Sequence, residues 1–322
     1  MRAAAILGLG CSVKSLQPFQ ANTTVEWHIG MPSSADEADA ILLFGGDGTI
    51  HRHLADLVRL GLPVLFVPVG SGNDFARALR LRRVRDSLAA WRQFCQGAKN
   101  VITTDLGLIT PLEDAGAALA SKQPAHEPAP GVRYFCCAAG VGLDGQISRR
   151  ANHLPRWLRG HGGYALSLAP ALFSFAPLPI KIRTADDPLP TNTATNPNAT
   201  KAGSLAALTW LTRSDEPTIL AAFANTPTYG GGMKIAPHAR LDDGLLDACV
   251  IGGIDPFKLF CLFPTVYFGR HLTIREVKYF QANRLRVETE APLDVYADGE
   301  YVCRTPAEIT VAPKALRVIV NP

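Results

Sequence analysis

The sequence has no pair of cysteines at a zinc-type spacing. Its seven cysteines form no CxxC arrangement, which argues against a structural zinc site and against a disulfide framework. They are typical of reduced, mostly buried thiols. The excess of positive charge is also small. A net charge of +4 over 322 residues is far from the concentrated basic surface of nucleic-acid-binding proteins. We therefore expect a cytoplasmic protein without a nucleic acid partner.

Long hydrophobic runs are absent as well. Pro170, Pro177 and Pro179 break the best candidate, residues 164–180, so no run reaches the roughly 18 to 20 residues that a spanning helix needs. We expect any contact with a membrane surface to be peripheral. The chain also has no G-x-x-x-x-G-K-[ST] motif, which excludes a Walker-type phosphate loop.

The first third of the chain alternates short apolar runs with helical patterns. Strands are predicted over Ala3–Leu9, Val25–Ile29, Ala40–Phe44 and Val64–Val69, and helices over His51–Leu60, Asp74–Leu81 and Asp86–Gln96. This alternation indicates an α/β domain with a mostly parallel sheet covered on both faces. Ligands of such sheets bind at the carboxyl ends of the strands.

From about residue 133 the pattern changes to strands separated by turn residues. Strands are predicted over Arg133–Ala139, Ile180–Thr184, Ser204–Leu211, Thr218–Asn225, Leu246–Ile251, Arg284–Thr289, Leu293–Ala297, Tyr301–Arg304 and Ala315–Val320. Only Arg150–Ser174 has helical periodicity here, and the aperiodic segments Pro111–Pro130 and Asp186–Gly203 are predicted as mobile loops. Many short strands with Asp-Gly turns favour an antiparallel β sandwich or barrel as a second domain.

A glycine-rich turn follows the third predicted strand. The stretch GGDGT, residues 45–49, lets a bulky anion approach the backbone amides without a Cβ in the way, and the next helix would point its N-terminus at that anion. Asp47 could contact a metal-bound phosphate, and Thr49 could donate a hydrogen bond. The structural alternative is a tight strand-to-helix turn in which Asp47 or Thr49 caps the helix.

A second turn of the same kind follows the next strand. It reads Gly70-Ser71-Gly72-Asn73-Asp74, and the carboxyl ends of neighbouring parallel strands lie at one edge of a sheet. Two such turns can supply donors from both sides to a single polyphosphate. In the structural alternative, Asn73 and Asp74 are ordinary helix caps.

Three further stretches carry acidic residues at turns. GVGLDG, residues 140–145, matches G-x-G-x-x-G, but no acidic residue follows about 20 positions later, so we predict a tight turn with Asp144 pointing toward the cleft. Asp298-Gly299 is predicted as the turn of a hairpin whose tip holds Asp298 and Glu300. If the tip faces the glycine turns, a carboxylate there could accept a proton. Asp243 lies in a predicted turn that could alternatively hold a hard cation.

An arginine cluster follows the second glycine turn. Arg77, Arg80, Arg82, Arg83 and Arg85 lie within nine residues. Such a cluster is usually a solvated helix end, and the alternative is electrostatic docking on anionic lipid heads.

Taken in order, these motifs resemble the diacylglycerol kinase catalytic domain family, and within it the soluble bacterial lipid kinases, which are related to sphingosine, ceramide and NAD kinases. The resemblance rests on GGDGT at 45–49, PVGSGNDFAR at 68–77, GVGLDG at 140–145, NTPTYGGGMKIAP at 225–237, DDGLLD at 242–247 and DGE at 298–300. It covers most of the chain.

The resemblance implies an α/β nucleotide-binding domain over 1–110, a β-sandwich lipid-substrate domain over 131–314 and a last strand, 315–322, that returns to the first domain beside Ala3–Leu9. It implies a lipid kinase that uses ATP and Mg²⁺ in the cleft between the domains. The nucleotide would be lined by Gly45, Gly46, Asp47, Gly48, Thr49, Gly70, Ser71, Gly72 and Asn73. Asp298 would be the catalytic base with Glu300 nearby, Asp74 and Asp144 would bind substrate, and Asp47 and Asp243 would be metal ligands. We expect a lipid substrate such as diacylglycerol, peripheral membrane contact and a homodimer.

The chain also departs from the family pattern. Gly8-Leu9-Gly10-Cys11-Ser12 replaces the usual Asn-Pro-x-Ser-Gly loop, and His51-Arg52 replaces an Asn-Glu pair. Arg240 stands where an aspartate often precedes the Asp-Gly by three residues. Two alternatives stay open: a NAD-kinase-like enzyme, which leaves GSGNDFAR and DGE unexplained, and a non-catalytic nucleotide-sensing module.

Overall fold

The computed structural model of the chain describes residues 1–21, 24–112, 131–143, 175–185 and 209–321. Asp144, the predicted helix Arg150–Ser174 and the predicted loop Asp186–Gly203 lie outside these residues, as do most of the predicted loop Pro111–Pro130 and of the predicted strand Ser204–Leu211. Within them, no helix is both long enough and apolar enough to cross a membrane.

The N-terminal part begins with strands and helices in alternation. Its elements are β1 Arg2–Leu7, α1 Val13–Gln20, β2 Glu26–Ile29, a 3₁₀ turn Ala35–Glu37, β3 Ala40–Gly45, α2 Asp47–Leu60, β4 Val64–Pro68, α3 Asp74–Ala78, α4 Val84–Cys95 and β5 Val101–Pro111. The strands β2, β1, β3 and β4 lie side by side and parallel. Strands β3 and β4 are buried along almost their whole length, which explains their unbroken apolar sequences.

The C-terminal part is antiparallel, and its described residues include one short α-helix. Its elements are β6 Arg133–Phe135, β7 Ala138–Gly142, β8 Leu178–Thr184, β9 Leu211–Ala224, β10 Leu246–Gly252, α5 Pro256–Leu262, 3₁₀ segments Phe263–Phe268 and Arg270–Thr273, β11 Val277–Ala282, β12 Arg284–Thr289, β13 Asp294–Ala297, β14 Glu300–Arg304 and β15 Ala307–Ile319. The predicted fold class is confirmed: a mostly parallel N-terminal sheet is followed by antiparallel strands of the β-sandwich type.

Two long strands join the two parts. Strand β15 pairs antiparallel with β5 along nearly its whole length, with a shift of register between Ala312 and Leu316. Leu106 and Leu316 belong to the N-terminal core, whereas Ile109 and Ile309 belong to a C-terminal core. One hydrogen-bonded sheet therefore runs through both predicted domains.

We expected the returning strand to lie beside Ala3–Leu9, but it lies beside β4. Val318 pairs with Val64 in parallel. Strand β1 already has β2 on one side and β3 on the other, so it has no free edge for another strand.

The prediction that the second part has no helix besides Arg150–Ser174 was wrong. Helix α5 has apolar residues on both faces, because Leu259 is buried while Phe257 is 67% exposed. It therefore lacks the polar stripe by which an amphipathic helix is recognised in a sequence. Strands β5 and β11 were not predicted either.

Candidate active site

The two glycine turns lie against each other at the carboxyl ends of β3 and β4. The Val69 amide donates to the Gly45 carbonyl over 3.2 Å. A Cβ built on Gly70 would come within 2.5 Å of the Gly46 Cα, closer than any side chain allows. The two turns need glycine at this contact because their backbones touch.

Asp47 joins the first turn to the second. Its Oδ2 accepts from the Asp74 amide over 2.9 Å, and its Oδ1 accepts from the Phe75 amide over 3.1 Å. Asp47 therefore caps α3 from the neighbouring turn. Burial, followed by the negative charge of Asp74, raises the pKa of Asp47 to about 6. Gly72 is required here, since a Cβ would lie 2.8 Å from Asp47 Oδ2.

Asn73 supports the second turn from within. It has a left-handed backbone with φ of 56°, which asparagine tolerates better than most residues. Its Oδ1 accepts from the Gly70 amide over 3.0 Å, and its Nδ2 donates to the Gly70 carbonyl over 2.6 Å. Asn73 thus fixes the shape of the turn and does not cap α3 with its side chain.

Asp74 connects the second turn to the triple-glycine stretch, residues 230–232. The carboxylate is 2% exposed, forms an ion pair with Arg77 and accepts from the Gly231 amide over 2.7 Å. Burial raises the pKa of Asp74 despite these partners. Arg77 also donates to the Gly72 carbonyl over 2.9 Å, so this member of the arginine cluster is engaged in the site.

Asp298 lies at the tip of the hairpin formed by β13 and β14. Asp298 and Gly299 have φ of 50° and 85°, as a two-residue type I′ turn requires. The Asp298 side chain is 0% exposed. Its carboxylate accepts from three successive amides, those of Cys136, Cys137 and Ala138, over 2.9, 2.8 and 3.3 Å.

His51 contacts this site, although the sequence analysis noted it only as a departure from the family pattern and gave it no role. Its Nδ1 lies 3.1 Å from Asp298 Oδ2. Burial alone would lower the pKa of His51, but the hydrogen bond and the negative charge of Asp298 outweigh it, so the pKa is raised. Next to it, Arg52 pairs with Glu300 over 3.6 Å at the surface. The signal available in the sequence was the unusual His51-Arg52 pair itself.

Both glycine turns and the hairpin tip line one cleft of about 1320 Å³ that is open to solvent. The predicted residues in its wall are Gly45, Gly46, Asp47, Gly48, Thr49, Gly70, Ser71, Gly72, Asp74 and Asp298. Glu300 lies beside it, since a Cβ on Gly48 would be 3.4 Å from Glu300 Oε1. Asn73 does not line the cleft, because its side chain is bonded to the backbone of Gly70.

Asp243 is not part of this wall. It lies in the turn before β10, where its Oδ1 accepts from the Leu245 amide over 3.1 Å, and burial raises its pKa. The neighbouring Asp105, which the sequence analysis did not single out, is 1% exposed and accepts from the amides of Gly244 and Lys314, each over 2.7 Å. Asp105 thus joins β5 to β15 and to the Asp243 turn.

A second cavity, partly open to solvent, lies in the C-terminal part, and its empty space of about 700 Å³ includes solvent at its mouth. Its wall is almost entirely apolar and consists of Leu143, Ile219, Leu220, Tyr229, Met233, Ile235, Ile251, Ile254, Leu259, Leu262, Phe263, Val266, His271, Ile274 and Val277. Tyr229 lines both this cavity and the cleft.

His271 is the polar exception in the cavity wall. It is 4% exposed, and its Nε2 lies 3.1 Å from the Ile235 carbonyl. Its Nδ1 is buried and has no hydrogen-bond partner among the described residues. Burial lowers the pKa of His271.

The donor set of the cleft fits a nucleotide with Mg²⁺. The glycine contacts leave no room for side chains between the turns. The first amides of α2 lie at this edge of the sheet, whereas the first amides of α3 already donate to Asp47. Asp47 Oδ1 accepts from the Phe75 amide and the Cys137 thiol. Asp47 Oδ2 accepts from the Asp74 amide and keeps a further lone pair, and a carboxylate oxygen is the kind of ligand that Mg²⁺ prefers.

Two family models match the chain. The diacylglycerol kinase catalytic domain matches residues 22–107, and the YegS C-terminal NAD kinase beta sandwich-like domain matches residues 137–320. Among curated proteins, the chain is 30% identical to a diacylglycerol kinase of Mycobacterium tuberculosis over 298 residues, covering 91% of this chain and 80% of that protein. It is 25% identical to the putative lipid kinase YtlR of Bacillus subtilis over 291 residues, covering 86% and 79%.

Solved structures show the same fold. A putative diacylglycerol kinase from Bacillus anthracis superposes with a TM-score of 0.66 at 19% identity, covering 100% of this chain and 97% of that one. An NAD kinase from Archaeoglobus fulgidus in complex with ATP superposes with a TM-score of 0.50 at 14% identity, covering 100% and 94%. With the two family models and the mycobacterial relative, the chain belongs to the diacylglycerol kinase catalytic domain family of YegS-like lipid kinases.

Proposed function

We propose that the protein transfers the γ-phosphoryl group of ATP to the hydroxyl of a lipid such as diacylglycerol. One observation carries the proposal: a glycine-lined cleft with carboxylates shares a wall residue, Tyr229, with a partly open apolar cavity. An amphiphilic acceptor needs both environments. Its polar head would meet the phosphate in the cleft while an acyl chain occupies the cavity.

On the nucleotide side, the two turns would hold the phosphates with backbone amides. Because Asp47 fixes the amides of Asp74 and Phe75, the second turn is held in position before the nucleotide arrives. Proteins catalyse phosphoryl transfer mainly by positioning the reacting groups and stabilising their charge. Mg²⁺, held by Asp47, would neutralise charge on the phosphates.

On the acceptor side, Asp298 is the candidate for taking the hydroxyl proton. Three amides and His51 use the lone pairs of its carboxylate, and its side chain is fully covered. The hairpin tip must therefore move for a hydroxyl to reach it. Such rearrangement is common, since catalytic hydrogen bonds often align only in the substrate complex.

The apolar cavity favours a lipid over NAD as acceptor. Burial of methylene groups contributes about 0.8 kcal/mol each, whereas NAD has no acyl chain to place among side chains such as Leu220, Ile235 and Val266. The likeness to the NAD kinase extends to the fold alone.

Peripheral membrane contact is part of the proposal. Leu259 and Leu262 line the cavity, while Phe257 and Phe268 are 67% and 72% exposed on the same segment. Arg270, two positions after Phe268 in the chain, is also exposed. A segment with apolar residues inside and exposed phenylalanines outside could rest on the bilayer from which the lipid is drawn.

The test is transfer of label from γ-labelled ATP to a panel of acceptors: diacylglycerol, sphingoid base and polyprenol in mixed micelles, and NAD in solution. We expect label in a lipid product and none in NADP. Label in NADP alone would support the NAD-kinase-like alternative. ATP binding without transfer to any acceptor would support the nucleotide-sensing module.

A further inference from the structure

Two adjacent cysteines, Cys136 and Cys137, lie at the bend between β6 and β7. Successive side chains in a regular strand point to opposite faces, but this bend brings the two Sγ atoms to 3.9 Å from each other. Cys136 is 0% and Cys137 is 3% exposed. Both are free thiols.

Each thiol faces a carboxylate of the candidate active site. The Cys136 thiol donates to Asp298 Oδ2 over 3.4 Å, and the Cys137 thiol donates to Asp47 Oδ1 over 3.8 Å. The two sulfurs and a carboxylate oxygen of Asp298 all lie within 4.8 Å of one another. Two polarizable sulfurs and the Asp298 carboxylate therefore lie close together.

The spacing of the sulfurs matches that of a chelating pair. Two sulfurs bound at about 2.3 Å to one tetrahedral ion are about 3.8 Å apart, against 3.9 Å in the structure. Thiolate ligands select soft or borderline ions, whereas Mg²⁺ selects oxygen. We propose that Cys136, Cys137 and Asp298 form a binding site for a thiophilic divalent cation of the zinc and cadmium class.

Binding exchanges protons for the metal. Both thiols lose their protons to solvent, two metal–sulfur bonds form, and the cation replaces the S–H of Cys136 as the partner of Asp298 Oδ2. Cys137 and Asp298 border the cleft, so the movement of the hairpin tip that admits a hydroxyl also opens a route for the ion from solvent. Burial raises the pKa of both thiols, which favours their protonated form when no cation is bound.

The site would be inhibitory, in contrast to the structural zinc sites that cysteine spacing excludes. A cation coordinated by Asp298 removes the carboxylate proposed as proton acceptor. Sequence motifs for zinc could not reveal it, because its ligands are two adjacent cysteines and an aspartate more than a hundred positions away.

The test titrates Cd²⁺ into the reduced, metal-free full chain and follows the ultraviolet thiolate-to-metal charge-transfer absorbance. We expect one tight equivalent for the wild type. The Cys136→Ser/Cys137→Ser variant should bind at least about 100-fold more weakly, a loss at the upper end of what disturbing a metal site costs. The matched control Cys261→Ser, which removes an exposed thiol elsewhere, should keep the tight equivalent. Equal titrations of wild type and double variant would overturn the proposal.

A second measurement needs no variant. One equivalent of Cd²⁺ should protect Cys136 and Cys137 from alkylation under partly denaturing conditions, as read by mass spectrometry, while Cys261 reacts. Alkylation of the pair at an unchanged rate would overturn the proposal. Both readouts are independent of kinase activity, so a chain that binds Cd²⁺ tightly and phosphorylates no acceptor would contradict the proposed function and leave this site standing.

Discussion

The cleft and the apolar cavity share Tyr229 but are built in opposite ways. The cleft wall combines glycines with carboxylates held by backbone amides, whereas the cavity wall is aliphatic and aromatic apart from His271. The carboxylates of the cleft are expensive to bury and are therefore fixed by hydrogen bonds. The difference indicates that phosphoryl transfer and recognition of the acyl chain depend on separate sets of residues. A substitution in one region should therefore leave the function of the other intact.

The largest effect should come from Asp298→Asn in the cleft. We expect kcat for lipid phosphorylation to fall by about 10²-fold or more, the usual contribution of a positioned base, because an amide cannot take the hydroxyl proton. ATP affinity, measured by calorimetry, should stay close to that of the wild type. The matched control is Asp294→Asn on the same hairpin, where the carboxylate pairs with Arg304 near the surface. Near-normal turnover of Asp298→Asn would remove Asp298 from the catalytic role.

Gly70→Ala should damage the other function of the cleft, nucleotide binding. The new methyl group would lie 2.5 Å from the Gly46 Cα, so the two turns must separate. Overpacking of this kind costs about 1–3 kcal/mol, and we expect ATP affinity to fall about 10- to 100-fold in a calorimetric titration. In the control Gly253→Ala, the Cβ meets its nearest atom at 3.7 Å, and affinity should not change. If both variants bind ATP equally well, the contact between the turns is unimportant for the nucleotide.

Ile254→Phe tests the cavity without touching the cleft. The added ring should displace about two methylene groups of the acyl chain, and burial of each contributes about 0.8 kcal/mol. We therefore expect kcat/KM for a long-chain diacylglycerol to fall about tenfold relative to kcat/KM for a short-chain one. The KM for ATP should be unchanged. Ile254→Leu keeps the side-chain volume and serves as the control. An equal loss for both chain lengths would mean that the cavity does not hold the acyl chain.

The cleft could be predicted from the sequence in large part, whereas the apolar cavity could not. The cleft residues follow strands β3 and β4 directly, so parallel-sheet geometry predicts that Gly45 to Thr49 and Gly70 to Asp74 meet at one edge. The position of Asp298 followed only from the family resemblance, because its approach depends on a hairpin far along the chain. The resemblance could not predict that His51 would contact it.

The cavity was not predictable in this way. Its residues come from scattered elements such as β9, α5 and the 3₁₀ segments, and each of them reads as ordinary core in the sequence. The pairing of the last strand with β4 was equally hidden, since it depends on which sheet edge is free. Contacts made over long sequence separations leave no local pattern.

Each region holds a largely covered histidine, and the pKa values of the two are shifted in opposite directions. Asp298 raises the pKa of His51, so its folded state holds the proton more tightly than the unfolded chain. Its contribution to the free energy of unfolding is present below about pH 6.5 and is lost as pH rises through the folded pKa. Burial lowers the pKa of His271, so its contribution is present above about pH 6.5 and is lost as pH falls.

Thermal unfolding of His51→Gln and His271→Gln from pH 5 to 8 separates the two cases. The stability advantage of the wild type over His51→Gln should shrink as pH rises, and its advantage over His271→Gln should grow. The two sites share no partner, so the double variant should show the sum of both differences. If both stability differences change with pH in the same direction, one of the two pKa shifts is wrong. Ring-proton titration by NMR would then show which histidine has the unexpected pKa.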